Sequence, residues 1–310
     1  MEISERARAA AATAAAAGRA LGLTVDEPRV LHDVFSVVVH LAPAPVVVRA
    51  PTVLPPTIRA DPQGQAAQQR AEVAVARWLA QRGHPVVAPS PLVAEQPVRR
   101  DGLSMTFWTF VQQVDGSTMQ DASRGALAAR LHAALRGYDG ELAWLPPLDD
   151  YVPAGIEELT PAVAGPEVIE RARRDWAQLA PLASSPEAFA RAFPLSRPQP
   201  IHGDSPLYNV IPTADGDLCS DFEHVGLGPV EWDLTFASPE QLTTYDATAA
   251  AAGLAPHDPR LLAVMASARM LQLVAYLPVA PEIPGMLDAM RPAVEEWLTR
   301  PVAGGLEGNP

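Results

Sequence analysis

Between two short apolar runs, the stretch Ile201-His202-Gly203-Asp204-Ser205-Pro206-Leu207-Tyr208-Asn209-Val210-Ile211 carries an aspartate and an asparagine five positions apart. Twelve residues after Asn209 comes Asp221, followed by Phe222 and Glu223. The segment between Asn209 and Asp221 has the length of two short strands, with a turn at Ala214-Asp215-Gly216. Such a hairpin returns Asp221 to the side of Asn209. Asp204, Asn209 and Asp221 then form a cluster of hard oxygen donors. Mg2+ takes that chemistry: one or two protein oxygens, with phosphates and water completing its shell.

The remaining sequence must position this cluster. Residues 4–21 are alanine-rich with interspersed charges, a strong helix signal that stops at Gly22. Val34–Leu41 and Pro45–Arg49 are β-branched runs joined by prolines, and the pattern predicts a hairpin. Gln65–Gln81 has apolar positions at helical spacing and ends at Gly83. Val86–Val93 and Leu103–Val111 are predicted strands, separated by a polar turn over Gln96–Gly102. Beyond them the pattern becomes helical: Asp121–Leu135 with Asp121 as its cap, Pro166–Ala183, Pro186–Phe193, Pro259–Tyr276 and Pro284–Thr299. The last ten residues are rich in glycine and proline and are expected to fray. A small mixed lobe is thus followed by a larger, mainly helical one, with the boundary near Val111–Gly116.

The run His202-Gly203-Asp204 with Asn209 and then Asp221-Phe222-Glu223 resembles the core of the aminoglycoside phosphotransferase family, relatives of protein kinases with their H-R-D-x-x-x-x-N and D-F-G. Gly228-Pro229-Val230-Glu231-Trp232-Asp233-Leu234 is similar to that family's G-P-x-x-x-D-L segment. The resemblance implies an α+β, two-lobed, protein-kinase-like fold. Residues 1–110 would form a nucleotide-covering N-lobe of antiparallel sheet plus helix. Residues 111–310 would form a mainly helical C-lobe with the catalytic loop and acceptor-binding helices. It further implies that Asp204 orients or deprotonates the acceptor hydroxyl. Asn209 and Asp221 would hold Mg2+ on the phosphates of ATP or GTP, while His202 and Asp233 support the loop. Val46-Val47-Val48-Arg49 resembles the strand that ends in a phosphate-contacting Lys, here Arg, with Glu72 as its helix partner. The loop before Ser36 has no glycine, and Ser36 is its phosphate-facing candidate. Thr109–Val111 matches the hinge that would bond a nucleotide base through backbone, with Thr109 and Val111 as the candidates.

Composition narrows the function classes. The 310 residues carry 23 Lys and Arg against 36 Asp and Glu, a net charge of −13. A nucleic-acid binder needs a basic footprint, and an anionic membrane surface attracts basic segments, so neither partner is expected. The acidic excess suits a cationic small molecule as well as plain solubility. Leu261–Ala280 is the longest apolar candidate for a membrane span, but Arg269 and Gln272 sit near its middle. The single cysteine, Cys219, forms no internal disulfide, which fits a cytoplasmic protein with a small buried thiol. The chain is expected to be a monomer or homodimer.

Only twelve positions separate Asp221 from Asp233, and no A-P-E follows, so no platform for a protein substrate is expected. The acceptor is expected to be a small hydroxylated molecule: a cationic antibiotic such as an aminoglycoside, a related sugar or amine, or a macrolide-type ligand or metabolite. Asp149, Asp150, Glu157, Glu158, Glu240 and Asp246 are candidate contacts for a cation. A nucleotide-binding pseudokinase and a metal-dependent phosphohydrolase are the alternatives.

Overall fold

The structure, a computed structural model, describes residues 3–114, 121–148 and 151–308. Asp149, Asp150 and the Asp115-Gly116 end of the expected lobe boundary lie outside the described residues. The chain forms two compact units. The first is Met1–Thr118 with Ile211–Ser220, and the second is Met119–Val210 with Asp221–Pro310. The first unit therefore takes in a hairpin that a single cut at residue 110 leaves with the second.

Helix α1 (Glu5–Ala20) opens the first unit and is capped by the Ser4 side chain. Strands β1 (Val25–Asp33), β2 (Ser36–Pro43) and β3 (Val46–Pro51) follow, then helices α2 (Pro56–Ala60) and α3 (Pro62–Gln81), and strands β4 (Val98–Arg100) and β5 (Leu103–Thr109). The five strands form an antiparallel sheet in the order β1-β2-β3-β5-β4. Alternate residues face α1: Val37, Val39 and Leu41 of β2 and Val46, Val48 and Ala50 of β3 pack against Ala7, Ala10, Ala14 and Ala17. Arg49 takes the opposite parity to Val48 and Ala50, and pairs with Glu72 of α3.

Three expectations for this unit are corrected. β1 is an additional strand, formed where the sequence offered only a loop. Its Pro28 lacks a donor and its residues are largely exposed, both of which an edge strand tolerates. Val86–Val93 makes only isolated bridges, Val86 with Cys219 and Pro89 with Trp108, because prolines 85, 89 and 91 remove ladder donors. The expected turn at Gln96–Gly102 instead holds β4. The reversal is confined to Asp101 and Gly102, whose φ values of 49° and 82° are those of a two-residue hairpin turn.

The second unit comprises helices α4 (Ser123–Leu135), α5 (Tyr151–Glu157), α6 (Pro166–Ser184) and α7 (Pro186–Ala192), strand β6 (Gln199–Ile201), strand β9 (Gly226–Gly228), and helices α8 (Pro239–Ala251), α9 (Pro259–Ala275) and α10 (Met286–Thr299). Between β6 and β9 the chain makes the paired strands β7 (Val210–Thr213) and β8 (Gly216–Cys219). Among the described residues no helix is long and apolar enough to cross a membrane.

Two further expectations fail here. Asp121 does not cap α4; its side chain accepts from Gln241 Nε2 at 2.9 Å instead, and α4 starts without a side-chain cap. Nor do the first residues of the chain end fray among those described. Buried Ala303 donates its N–H to Asp175 at 3.1 Å, and Pro301 O accepts from Arg171 at 2.8 Å.

Helices α4 and α8 cross at Gly125, where a Cβ would overlap the Gln241 carbonyl oxygen. Gly→Ala in an open helix gains up to about 1 kcal/mol. Here the obstacle is backbone, so we expect Gly125→Ala to destabilise by about 1–3 kcal/mol, as overpacking does. The thermal unfolding midpoint of the variant checks the sign.

Candidate active site

The loop after β6 is shaped by residues that lie far along the chain. Gly203 adopts φ 82°, and a Cβ there would overlap the His224 carbonyl oxygen, so the position requires glycine. Asp233 is completely buried beneath the loop. Its Oδ2 accepts from the His202 N–H at 2.8 Å and its Oδ1 from the Gly203 N–H at 2.9 Å. His132 of α4 places Nε2 2.9 Å from the same Oδ2 and Nδ1 2.9 Å from the Tyr245 hydroxyl. Trp232 donates its indole N–H to Gly203 O at 2.8 Å. Burial, followed by the charges of Glu231, Asp233 and Asp246, pushes the Tyr245 phenol well above its ordinary range, so it stays protonated. Burial likewise raises the Glu231 carboxyl, whose Oε1 accepts from the Asp258 N–H. His202 is buried, with its ring 4.6 Å from that of Phe222.

This scaffold presents Asp204, whose side chain is 24% exposed. Its Oδ2 accepts from Asn209 Nδ2 at 2.7 Å. Its Oδ1 accepts from Arg269 Nη2 of α9, 65 residues away in sequence. Sequence reasoning used Arg269 only to argue against a membrane span. The signal available was its isolation, since it is the only charged residue between Leu261 and Ala275. Arg269 lies 5.3 Å from the Trp232 ring and 5.4 Å from that of Phe236. Burial lowers its guanidinium to about 10, which leaves it charged at neutral pH. Tyr208 and Phe236 are exposed aromatics beside the loop, and the Tyr208 hydroxyl donates to Phe236 O at 3.2 Å.

The stems of the β7–β8 hairpin end next to the remaining donors: Asn209 immediately precedes β7 and Asp221 lies two residues past β8. Asp221 is half-buried and holds a left-handed φ of 63°, a conformation aspartate tolerates better than most residues. Because the Asn209 amide nitrogen is given to Asp204, its carbonyl oxygen faces the other way. An amide oxygen and a carboxylate are hard donors of the kind a divalent cation takes beside phosphate and water, so the residues present fit such an ion.

In the first unit, Arg49 Nη1 lies 3.7 Å from Glu72 Oε2, with both side chains buried. Helix α3 is held to β5 by a reciprocal pair: Gln69 Nε2 donates to Ser104 O, and Ser104 Oγ donates to Gln69 Oε1. Ser36 is half-buried at the start of β2, opposite Pro51. The tight turn before it is anchored at Asp33, which accepts from Ser4 and Arg6, both at 2.6 Å. Of the hinge candidates, Thr109 lies within β5 and donates its N–H to Ala88 O at 2.9 Å, so that donor is already engaged. Val111 follows β5 and is half-buried. Cys219 is buried, and its backbone is stitched to Pro85 and Val87. Of the acidic residues considered for a cationic acceptor, Glu157, Glu158 and Glu240 are exposed, and Asp246 holds His257 at 2.9 Å.

A model of the phosphotransferase enzyme family (APH) matches residues 57–264, more than half of the chain, and the chain belongs to that family. It is a phosphotransferase. No curated protein is significantly similar to it in sequence. Among solved structures, it is similar to the choline kinase LicA of Streptococcus pneumoniae at 14% identity and a TM-score of 0.60, over 93% of this chain and 98% of that one. The amicoumacin kinase hAmiN, in complex with AMP-PNP, Ca2+ and Ami, matches at 13% identity and a TM-score of 0.60, over 91% and 92%. The GDP complex of aminoglycoside 2'-phosphotransferase-IIIa matches at 12% identity and a TM-score of 0.58, over 95% and 99%. At these identities the likeness concerns the fold, which is the kinase-like one that the sequence motifs imply.

Proposed function

We propose that this phosphotransferase moves the γ-phosphate of ATP or GTP, with Mg2+, onto a hydroxyl of a small molecule. The observation that carries this reading is Asp204, presented on a loop fixed by Asp233 and joined to Asn209. Phosphoryl transfer asks little covalent chemistry of a protein; positioning and charge neutralisation suffice. Asp204 orients the acceptor hydroxyl and takes its proton. Asn209 and Asp221 hold the metal, and Mg2+, when bound, neutralises phosphate charge. Arg49, kept in place by Glu72, contacts phosphate, Ser36 lies at the covering turn, and the Thr109–Val111 backbone meets the base. His202 and Asp233 support the loop. AMP-PNP in one similar structure and GDP in another support keeping both nucleotides. The net charge of −13 supports a cationic acceptor, an aminoglycoside or a related sugar or amine. The protein is assigned to the cytoplasm, as a monomer or homodimer.

A non-catalytic nucleotide sensor is the second reading, favoured by Arg49 in place of Lys and by the glycine-free turn pinned at Asp33. Thermal unfolding with and without Mg-ATP and Mg-GTP, beside Asp221→Ala, tests the nucleotide site. A ligand at about 100 times its Kd stabilises by about 2.7 kcal/mol, which moves the midpoint by several degrees at about 2–4 °C per kcal/mol. The shift is expected in the wild type and lost in Asp221→Ala. Absence of a shift with either nucleotide refutes the site. A shift without any γ-phosphate release favours the sensor.

A further inference from the structure

Helix α9 is almost wholly apolar on its buried face, where Leu261, Val264, Met265, Ala268, Leu271 and Val274 pack. Besides the buried Ser267 and Gln272, one guanidinium interrupts it. Arg269 reaches Asp204 Oδ1, and Asp204 is the only carboxylate paired with it among the described residues. Its other hydrogen bond among the described residues is weak, to Gly203 O at 3.5 Å; the Trp232 and Phe236 rings face the group, and Tyr151 and Tyr276 lie close enough to act on its charge. Burying a cation in this way is a poor device for stability, since an apolar side chain of similar volume serves a core as well or better. The partner is also not a buried charge that needs rescue, because Asp204 is 24% exposed to water. The pairing instead falls on the one carboxylate whose geometry matters most for transfer.

Two further observations show that the placement is controlled. The loop Ile201–Ile211 contains no Lys or Arg of its own, so the cation beside Asp204 must come from elsewhere. The rotation of α9 is fixed two residues before Arg269, where Ser267 Oγ donates to Asp175 Oδ2 at 2.7 Å. Asp175 is itself buried and also accepts from Arg171 at 2.8 Å, Trp297 Nε1 at 3.1 Å and the Ala303 N–H at 3.1 Å. Three elements, α6, α10 and the segment after α10, thus hold the helix that delivers the guanidinium.

We infer that Arg269 is a positioning residue for phosphoryl transfer: it holds the Asp204 carboxylate in one orientation from Oδ1 while Asn209 holds Oδ2. The inference rests on the phosphotransfer reading above. Arg269 acts through Asp204, so its effect belongs to kcat and disappears when Asp204 is gone.

The test uses the full chain and reads γ-phosphate release to water from Mg-ATP and Mg-GTP. Arg269→Met is expected to lower kcat by about 10- to 100-fold, the scale of a misplaced reacting group. The nucleotide KM should stay within about twofold and the unfolding midpoint should not fall. Arg269→Lys restores the charge without the planar fork and should recover part of the rate. In an Asp204→Ala background, where no side chain is left for the guanidinium to hold, Arg269→Met should add nothing. Unchanged kcat in Arg269→Met, or an undiminished effect in the Asp204→Ala background, overturns the inference while leaving the phosphotransfer reading intact. A midpoint that falls in Arg269→Met and Arg269→Lys alike, in step with activity, also overturns it, because the role is then structural. A wild type with neither a nucleotide-dependent midpoint shift nor phosphate release overturns the phosphotransfer reading and this inference together.

Discussion

Asp233→Ala is expected to unfold the protein about 10 °C below the wild type and to abolish transfer. The carboxyl group is completely buried and serves three partners, the N–H groups of His202 and Gly203 and the ring of His132. Alanine leaves two backbone donors without an acceptor in a dry environment, at roughly 1–3 kcal/mol each. Removing one side of a buried charged network costs about 3–5 kcal/mol in comparable cases, and a protein of this size loses about 2–4 °C per kcal/mol. Asp233→Asn separates the contributions. It can present an oxygen to one N–H, but it turns an NH2 towards the other, so it should recover only part of the midpoint. Activity should fall further than stability does, because Asp204 follows Gly203 directly and inherits any change in the loop. Thermal unfolding and γ-phosphate release measured on the same samples decide the matter. A variant that unfolds within about 2 °C of the wild type and retains its rate would mean that the loop is held mainly by its own turn geometry.

The same network explains what the sequence could and could not disclose. His202, Gly203, Asp204 and Asn209 were legible because they lie on one short loop, where spacing along the chain is nearly spacing in space. The hairpin between Asn209 and Asp221 was legible because the segment has the length of two short strands with turn residues between them. Arg269 obeys no such rule. It is brought to Asp204 by the packing of a whole helix, and a lone arginine in an apolar run has several ordinary readings. The chain end was misread for a related reason. Glycine and proline at 301–305 suggest looseness, yet Asp175 and Arg171, more than 120 residues earlier, supply the hydrogen bonds that fix it. In the first unit β2, β3 and β5 announced themselves through β-branched and aromatic runs. β1 did not, because an edge strand exposes both faces and loses the alternation that marks a half-buried one. The Asp101-Gly102 reversal was the overlooked local signal, since Asp-Gly is among the strongest two-residue hairpin pairs.

Asp204→Ala separates binding from chemistry. We expect kcat to fall by about 10²- to 10⁴-fold, the range that a positioned general base contributes, while the Mg-nucleotide midpoint shift survives. The reason lies in the division of labour around the carboxyl group. Its oxygens are engaged by Asn209 and Arg269, neither of which depends on Asp204 for its place in the backbone. Asn209 sits at the root of β7 and Arg269 on a helix pinned through Ser267. Removing the carboxylate frees the Asn209 amide to turn but leaves the residue at the root of β7 and leaves Asp221 untouched, so metal and nucleotide affinity should change far less than the rate. Asp221→Ala predicts the opposite pattern, with the midpoint shift lost and the rate falling because nucleotide no longer binds. Measured side by side, the two variants assign the roles. If Asp204→Ala keeps near-normal turnover, proton removal from the acceptor is not its task. If it loses the nucleotide-dependent shift as Asp221→Ala does, Asp204 belongs with the metal ligands. Asp204→Asn is the weaker probe of the two, because its amide must oppose either the Arg269 guanidinium or the Asn209 NH2, and it disturbs the geometry it is meant to preserve.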